Sequence, residues 1–117
     1  MKKSDLEEKF SFYWRLLHPE LPEPEVHYRK AIPGRRLELD FAWPDHGKIG
    51  VEVQGGTWAK GRKQGHTRGS MYERDCIKLN LMQREGWDVY WLTTTMLTND
   101  PDRWLGLIAE AVTKGGE

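Results

Sequence analysis

Asp40 and Glu52 are the residues whose types and spacing suggest chemistry, with Gln54 two positions on: an aspartate, eleven intervening residues, a glutamate, one residue, an amide that on its own reads as an ordinary sheet residue. Two carboxylates brought together offer hard oxygen donors to a divalent cation such as Mg²⁺ or Mn²⁺. A cation held that way can activate a water and neutralise charge on a reacting oxyanion. The interval alone is weak, because a chain with 18 acidic residues contains such spacings by accident. Its meaning comes from the elements that must position the three side chains.

Residues 35–56 read as two strands and a turn. Leu37, Leu39, Phe41 and Trp43 alternate with Glu38, Asp40 and Ala42, and Ile49, Val51 and Val53 alternate with Gly50, Glu52 and Gln54. Pro44-Asp45-His46-Gly47 between them is turn chemistry. An antiparallel hairpin follows, with Asp40 opposite the apolar set of its strand. Glu52 and Gln54 share the non-apolar face of the other strand, because residues i and i+2 point the same way. The acidic groups of the two strands then converge.

A third acid comes from upstream. Ser4-Asp5-Leu6-Glu7 has the pattern of a capping box, so a helix should start there and run to about Leu17, stopped by Pro19. Leu6, Phe10, Tyr13, Trp14 and Leu17 form its apolar stripe. At roughly 100° per residue, Glu7 borders that stripe and Glu8 faces away. Glu7 is either a cap for its own helix or a member of the site, and spacing leaves both open.

Residues 19–24 are a proline-rich connector, and 25–30 (EVHYRK) a short edge strand ahead of a Pro33-Gly34 turn. His18 and His27 read as surface residues, and Arg35-Arg36 as a solvated pair or a phosphate contact. Residues 55–70 are glycine-rich and basic and read as a flexible loop, a length that is uncommon in a small domain unless it is functional or disordered. Its cations Lys60, Arg62, Lys63, His66 and Arg68, with Arg74 just beyond, suit a nucleic-acid backbone.

A second capping box, Ser70-Met71-Tyr72-Glu73, opens a helix over 71–85. That helix should bury Tyr72, Cys76, Leu79 and Met82, flanked by Ile77 and Leu81, and stop at Gly86. Residues 87–94 read as a strand. Asp100-Pro101 starts a last helix that buries Trp104, Leu105, Ile108 and Val112. The order α, short β, β, β, loop, α, β, α predicts an α/β fold, a mixed sheet with helices packed on it. The strand–helix–strand segment supplies a parallel crossover pair beside the antiparallel hairpin.

The bulk properties bound this reading. At 117 residues the expectation is one domain, 1–117, with a small core. A single cysteine, Cys76, excludes an internal disulfide and a multi-cysteine zinc site. With no signal-peptide pattern or membrane-length apolar run, an intracellular location and no membrane partner are expected. Formal charge is zero, but it is segregated. Acids crowd the N-terminal quarter, and bases crowd residues 58–74, which is compatible with one DNA-facing side.

Together these residues resemble the PD-(D/E)XK nuclease superfamily, whose α-β-β-β-α-β restriction-endonuclease-like core has the element order read above. A likeness to archaeal-type Holliday junction resolvases and their phage-encoded relatives rests on Glu7-Glu8-Lys9-Phe10, Leu39-Asp40-Phe41 and Val51-Glu52-Val53-Gln54. A second likeness, to small very-short-patch-repair-like nucleases, rests on Val51-Glu52-Val53, Gly55-Gly56, Arg74-Asp75, Lys78 and Gly86-Trp87-Asp88-Val89. The resemblance spans about residues 6–94.

It implies a metal-dependent DNA endonuclease acting in recombination and repair. Asp40, Glu52 and the Val53 carbonyl would bind Mg²⁺ or Mn²⁺, Glu7 would complete the shell directly or through water, and Gln54 would join Glu7, Asp40 and Glu52 as the catalytic set. Gln54 stands where the family carries a lysine. It can orient a water or bond a phosphate oxygen, but it supplies no positive charge. That charge would come from Lys48, Lys60 or His66, or from a second metal. The resemblance further implies a homodimer that cuts four-way junctions in the cytoplasm, a host's if the chain is phage-encoded. Two rivals stand beside it: a monomeric nicking or very-short-patch-repair-like endonuclease, and a DNA-binding module on a degenerate nuclease fold.

Overall fold

The structure is a computed structural model that describes residues 3–54 and 65–117, with the backbone alone over 65–71. Its strands are β1 (Glu25–Tyr28), β2 (Leu39–Trp43), β3 (Ile49–Gln54) and β4 (Asp88–Thr93), and its helices α1 (Asp5–Leu17), α2 (Gly65–Arg84), α3 (Thr94–Asn99) and α4 (Pro101–Gly115). The strands form one sheet in the order β1-β2-β3-β4. β1–β2 and β2–β3 are antiparallel and β3–β4 is parallel, so the hairpin and the crossover both form as the patterning requires. The fold is α/β, a four-stranded mixed sheet flanked by helices.

Each face of the sheet is covered. On one face Phe10 and Trp14 of α1 meet Phe41, Trp43, Ile49, Val51 and Leu92, and α4 adds Leu105, Ile108 and Val112. Aromatic pairs dominate here, with Phe10 stacked on Phe41 at 4.6 Å and Trp14 beside Trp43 at 4.8 Å between ring centroids. Both indoles donate to the Pro22 carbonyl, at 3.1 and 2.8 Å, which ties the proline-rich connector to the core. The second face is smaller: Leu39, Ala42, Met82 and Trp87 pack with Ala31 and Ile32.

Several expectations are corrected. Residues 65–70 belong to α2, so this part of the segment expected as a loop over 55–70 is helical and Ser70 caps no helix start; residues 55–64 lie outside the described residues. Gly65 and Gly69 read as breakers, yet a helical glycine costs only about 1 kcal/mol relative to alanine, which neighbouring turns can offset. The apolar stripe assigned to this helix is also displaced. Met82 is buried, but Tyr72, Ile77 and Leu79 are exposed, while Asp75 and Lys78 are half-buried. A short helix, α3, capped by Thr93, begins at Thr94, the last residue expected in the strand over 87–94.

Strict alternation also fails along β2, where Ala42 is buried on the face read as non-apolar. Leu39 leaves the apolar set of Phe41 and Trp43 for the second core. It lies against Gly50, where a Cβ would come within 2.8 Å of a Leu39 methyl, so only glycine leaves that side chain its room.

Candidate active site

The two ends of the β2–β3 hairpin are built differently. Near the turn, Trp43 faces Ile49, Ala42 faces Gly50 and Phe41 faces Val51 in regular register. One residue further, the backbone ladder gives way to side chains. The Asp40 N–H donates to Glu52 Oε2 at 2.9 Å, and the Val53 N–H donates to Asp40 Oδ2 at 2.9 Å. Each carboxylate is held by a backbone N–H of the opposite strand, and the two acids are locked face to face.

Two helices and the edge strand bring the rest. Ser4 and Glu7 form the expected capping box at the start of α1, yet Glu7 is also buried and adjoins Asp40. Both readings of Glu7 therefore hold together, and Glu8 is exposed. Glu7 Oε1 accepts from the Ser4 N–H at 3.2 Å and lies 2.9 Å from His27 Nε2. From the other side, Lys78 of α2 donates to Glu52 Oε1 at 2.8 Å. The side chains of this pair are only 16% and 10% exposed, so it is a shielded ion pair unlike the solvated ones elsewhere on the surface.

The electrostatics follow from crowding. Asp40 is pushed up to about 7, first by burial and then by the Glu52 charge; the Val53 N–H opposes this, and Glu7 adds to it. Glu52 is also raised, again by burial first; Lys78 and the Asp40 N–H pull it down, and Asp75 pushes it up. Three acids on three elements are short of positive charge, and Lys78 supplies the one cation bonded to them among the described residues.

Glu7, Asp40 and Glu52 thus come together as the sequence suggested. Gln54 shares the face of Glu52, half-buried at the end of β3 opposite Thr93. Val53 enters through its N–H. Lys48 is ruled out as the missing charge, because it sits at the turn end of the hairpin and donates to the Glu85 carbonyl. Arg74, Arg35 and Arg36 are exposed. Lys60, Arg62 and Lys63 lie outside the described residues, as do the side chains of His66 and Arg68.

Two members of the site were missed. His27 is not a surface residue: its side chain is 11% exposed. Lys78 carries no signal in the sequence beyond the family resemblance and its spacing on the helix. Its signal was the inward spacing of Asp75, Lys78 and Met82, two charges and one apolar residue, which does not read as a buried face. The helix packs on carboxylates there, so charge complementarity replaces hydrophobicity.

The donor set suits a hard divalent cation, since the repulsion that raises Asp40 is what such an ion would relieve. As it stands the arrangement is closed: among the described residues no group of three His, Cys, Asp or Glu side chains is spaced to hold a metal. Both Glu52 oxygens and one Asp40 oxygen are already engaged, with Lys78 taking the countercharge position. Two surface grooves of about 520 and 440 Å³ are lined by residues of α4 with the α1–β1 connector or the hairpin turn, and neither includes a site residue.

No family model, curated protein or solved structure matches the chain. Among the described residues no helix is long and apolar enough to cross a membrane.

Proposed function

We propose that the protein is a metal-dependent DNA endonuclease of the PD-(D/E)XK type, cutting phosphodiester bonds in branched DNA as a homodimer. The observation that carries this reading is the break in the β2–β3 ladder. There Asp40 and Glu52 replace backbone pairing, and Glu7 and Lys78 converge on them from two helices. Asp40 and Glu52 would hold Mg²⁺ or Mn²⁺, with Glu7 beside them and the Val53 carbonyl as a further donor. When bound, such an ion supplies an activated water and stabilises charge on the scissile phosphate.

The chain's own residues divide the remaining work. Asp40 offers its charge to the cation only when deprotonated, so cation and proton compete for it and metal binding should weaken as pH falls. Lys78 fills the electrostatic role left by Gln54: its ammonium neutralises Glu52 in the resting protein and stands ready to face a phosphate oxygen. Gln54, on the same strand face, orients a water or a phosphate oxygen. The basic segment 60–68, with Arg74, carries the DNA backbone.

The alternative with support of its own is a DNA-binding module without chemistry. Gln54 in place of a lysine and the closed Glu52–Lys78 pair favour it. Cleavage of four-way, duplex and single-stranded DNA, assayed side by side with and without Mg²⁺, decides between them. Metal-dependent cutting excludes the binding module, and symmetric paired cuts in the junction separate a dimeric resolvase from a monomeric nicking enzyme. No cutting of any substrate in Mg²⁺ or Mn²⁺ would overturn the nuclease reading.

A further inference from the structure

His27 combines two features that have no structural need to coincide. Its backbone φ is +53°, a left-handed conformation shared, among the described non-glycine residues, only with Lys48 in the hairpin turn. Such a conformation costs a side-chain-bearing residue on the order of 1–3 kcal/mol and persists only where the surroundings enforce it. The cost falls inside β1, where the register passes from Val26–Phe41 to Tyr28–Leu39 and omits the His27–Asp40 pair. The same residue turns its imidazole inward, 11% exposed, with Nε2 2.9 Å from Glu7 Oε1. An irregularity that served the strand alone would favour glycine or asparagine at this φ.

The contact divides the Glu7 carboxylate. Oε1 accepts from both the Ser4 N–H and, with the proton on Nε2, the His27 imidazole. The same carboxylate bonds and repels the Asp40 carboxyl. We propose that His27 is a positioning residue: its strained backbone aims the imidazole at Glu7 Oε1, and this clamp fixes the Glu7 carboxylate against Asp40 and against a divalent cation held there. The proposal rests on the metal site of the preceding section but not on DNA cleavage. Partners that fix a ligating carboxylate are ordinarily worth about 10–100-fold in metal affinity.

The test separates clamp from scaffold by moving stability and metal affinity in opposite directions. His27→Gly removes both the strain and the imidazole. Mn²⁺ binding to the DNA-free protein, followed by electron paramagnetic resonance, should weaken about tenfold while the melting temperature holds or rises. His27→Gln can place a side-chain N–H near the Nε2 position, so it should recover part of the affinity. Unchanged Mn²⁺ affinity in His27→Gly would overturn the proposal, as would His27→Gln binding no better than glycine. Wild-type protein that binds no Mn²⁺ would overturn it together with the metal site. Wild type that binds Mn²⁺ but cuts no DNA, with affinity lost in His27→Gly, sinks the nuclease reading and leaves the clamp standing.

Discussion

The turn end and the open end of the β2–β3 hairpin are only a few residues apart, yet opposite rules govern them. At the turn end, Trp43, Ile49, Phe41 and Val51 are buried and in register, and backbone groups pair with backbone groups. At the open end, backbone N–H groups are spent on the carboxylates of Asp40 and Glu52, and the charge left over is met by a lysine from a helix. The first end is arranged for stability. The second keeps buried acids close together, which is unfavourable for folding and is the arrangement on which the proposed cation site rests.

The sharpest break in this comparison is chemical. Asp40→Asn and Glu52→Gln preserve shape but remove charge and turn one acceptor oxygen of each into an NH2 donor. Single-turnover cleavage should fall by about 10³-fold or more, the scale of several kcal/mol of lost transition-state stabilisation. DNA binding in gel-shift assays should be unchanged or tighter, since negative charge leaves the neighbourhood of the phosphate. A variant that cuts at the wild-type rate removes that carboxylate from the site.

The next effect distinguishes two adjacent residues of α1. Glu7→Gln should slow cleavage about 10–100-fold, as expected for a residue that supports a metal site. Glu8→Gln, on the exposed side, should leave the rate alone. If Glu7→Gln lowers only thermal stability, its capping role is its whole role.

Substitution at the turn end should do the reverse. Gly50→Val drives a side chain into Leu39 and should cost about 1–3 kcal/mol in denaturant unfolding, with cleavage per folded molecule retained. Loss of cleavage at full stability would mean that the two ends are not separable.

The pH dependence of stability sharpens the contrast further. Asp40 binds its proton more tightly in the folded protein, at about 7, than at its ordinary value of 3.8. The folded state therefore holds the extra proton between these values, and stability should fall as pH rises through that window. Asp40→Asn should melt a few degrees above wild type at pH 8, where about 1 kcal/mol is worth roughly 4 °C, and no higher at pH 4. Equal melting temperatures at pH 8 would show that Asp40 is not strained by its neighbours. The smallest expected effect concerns the basic segment: replacing Lys60, Arg62 and Lys63 with alanine should flatten the salt dependence of DNA binding by up to ~0.9 in log–log slope per lost contact.

What could be read from the sequence follows the same division. Where apolar periodicity governs, as in α1 and the buried side of α4, residue types mark the elements and even place Glu7 at the edge of its stripe. At the site, side chains are arranged by charge, and periodicity misleads. Helix α2 turns Asp75 and Lys78 inward and leaves Tyr72, Ile77 and Leu79 outside, the inverse of an amphipathic reading. His27 and Leu39 depart from strand alternation where the β1–β2 register omits the His27–Asp40 pair, and no property of the residues announces a positive φ at a histidine. Asp40 and Glu52 were legible because a hairpin registers them whatever surrounds it. Their partner Lys78 comes from a distant helix and became visible only in three dimensions.

The central claim is that the open end of the hairpin is a divalent-cation site closed in the resting protein by Lys78. Crystals of the protein soaked in Mn²⁺ and measured at the manganese absorption edge test it most directly. The expected result is one anomalous peak between the Asp40 and Glu52 carboxylates, with Lys78 displaced from Glu52 Oε1. An intact Lys78–Glu52 pair at saturating Mn²⁺, with no peak beside Asp40, would contradict it.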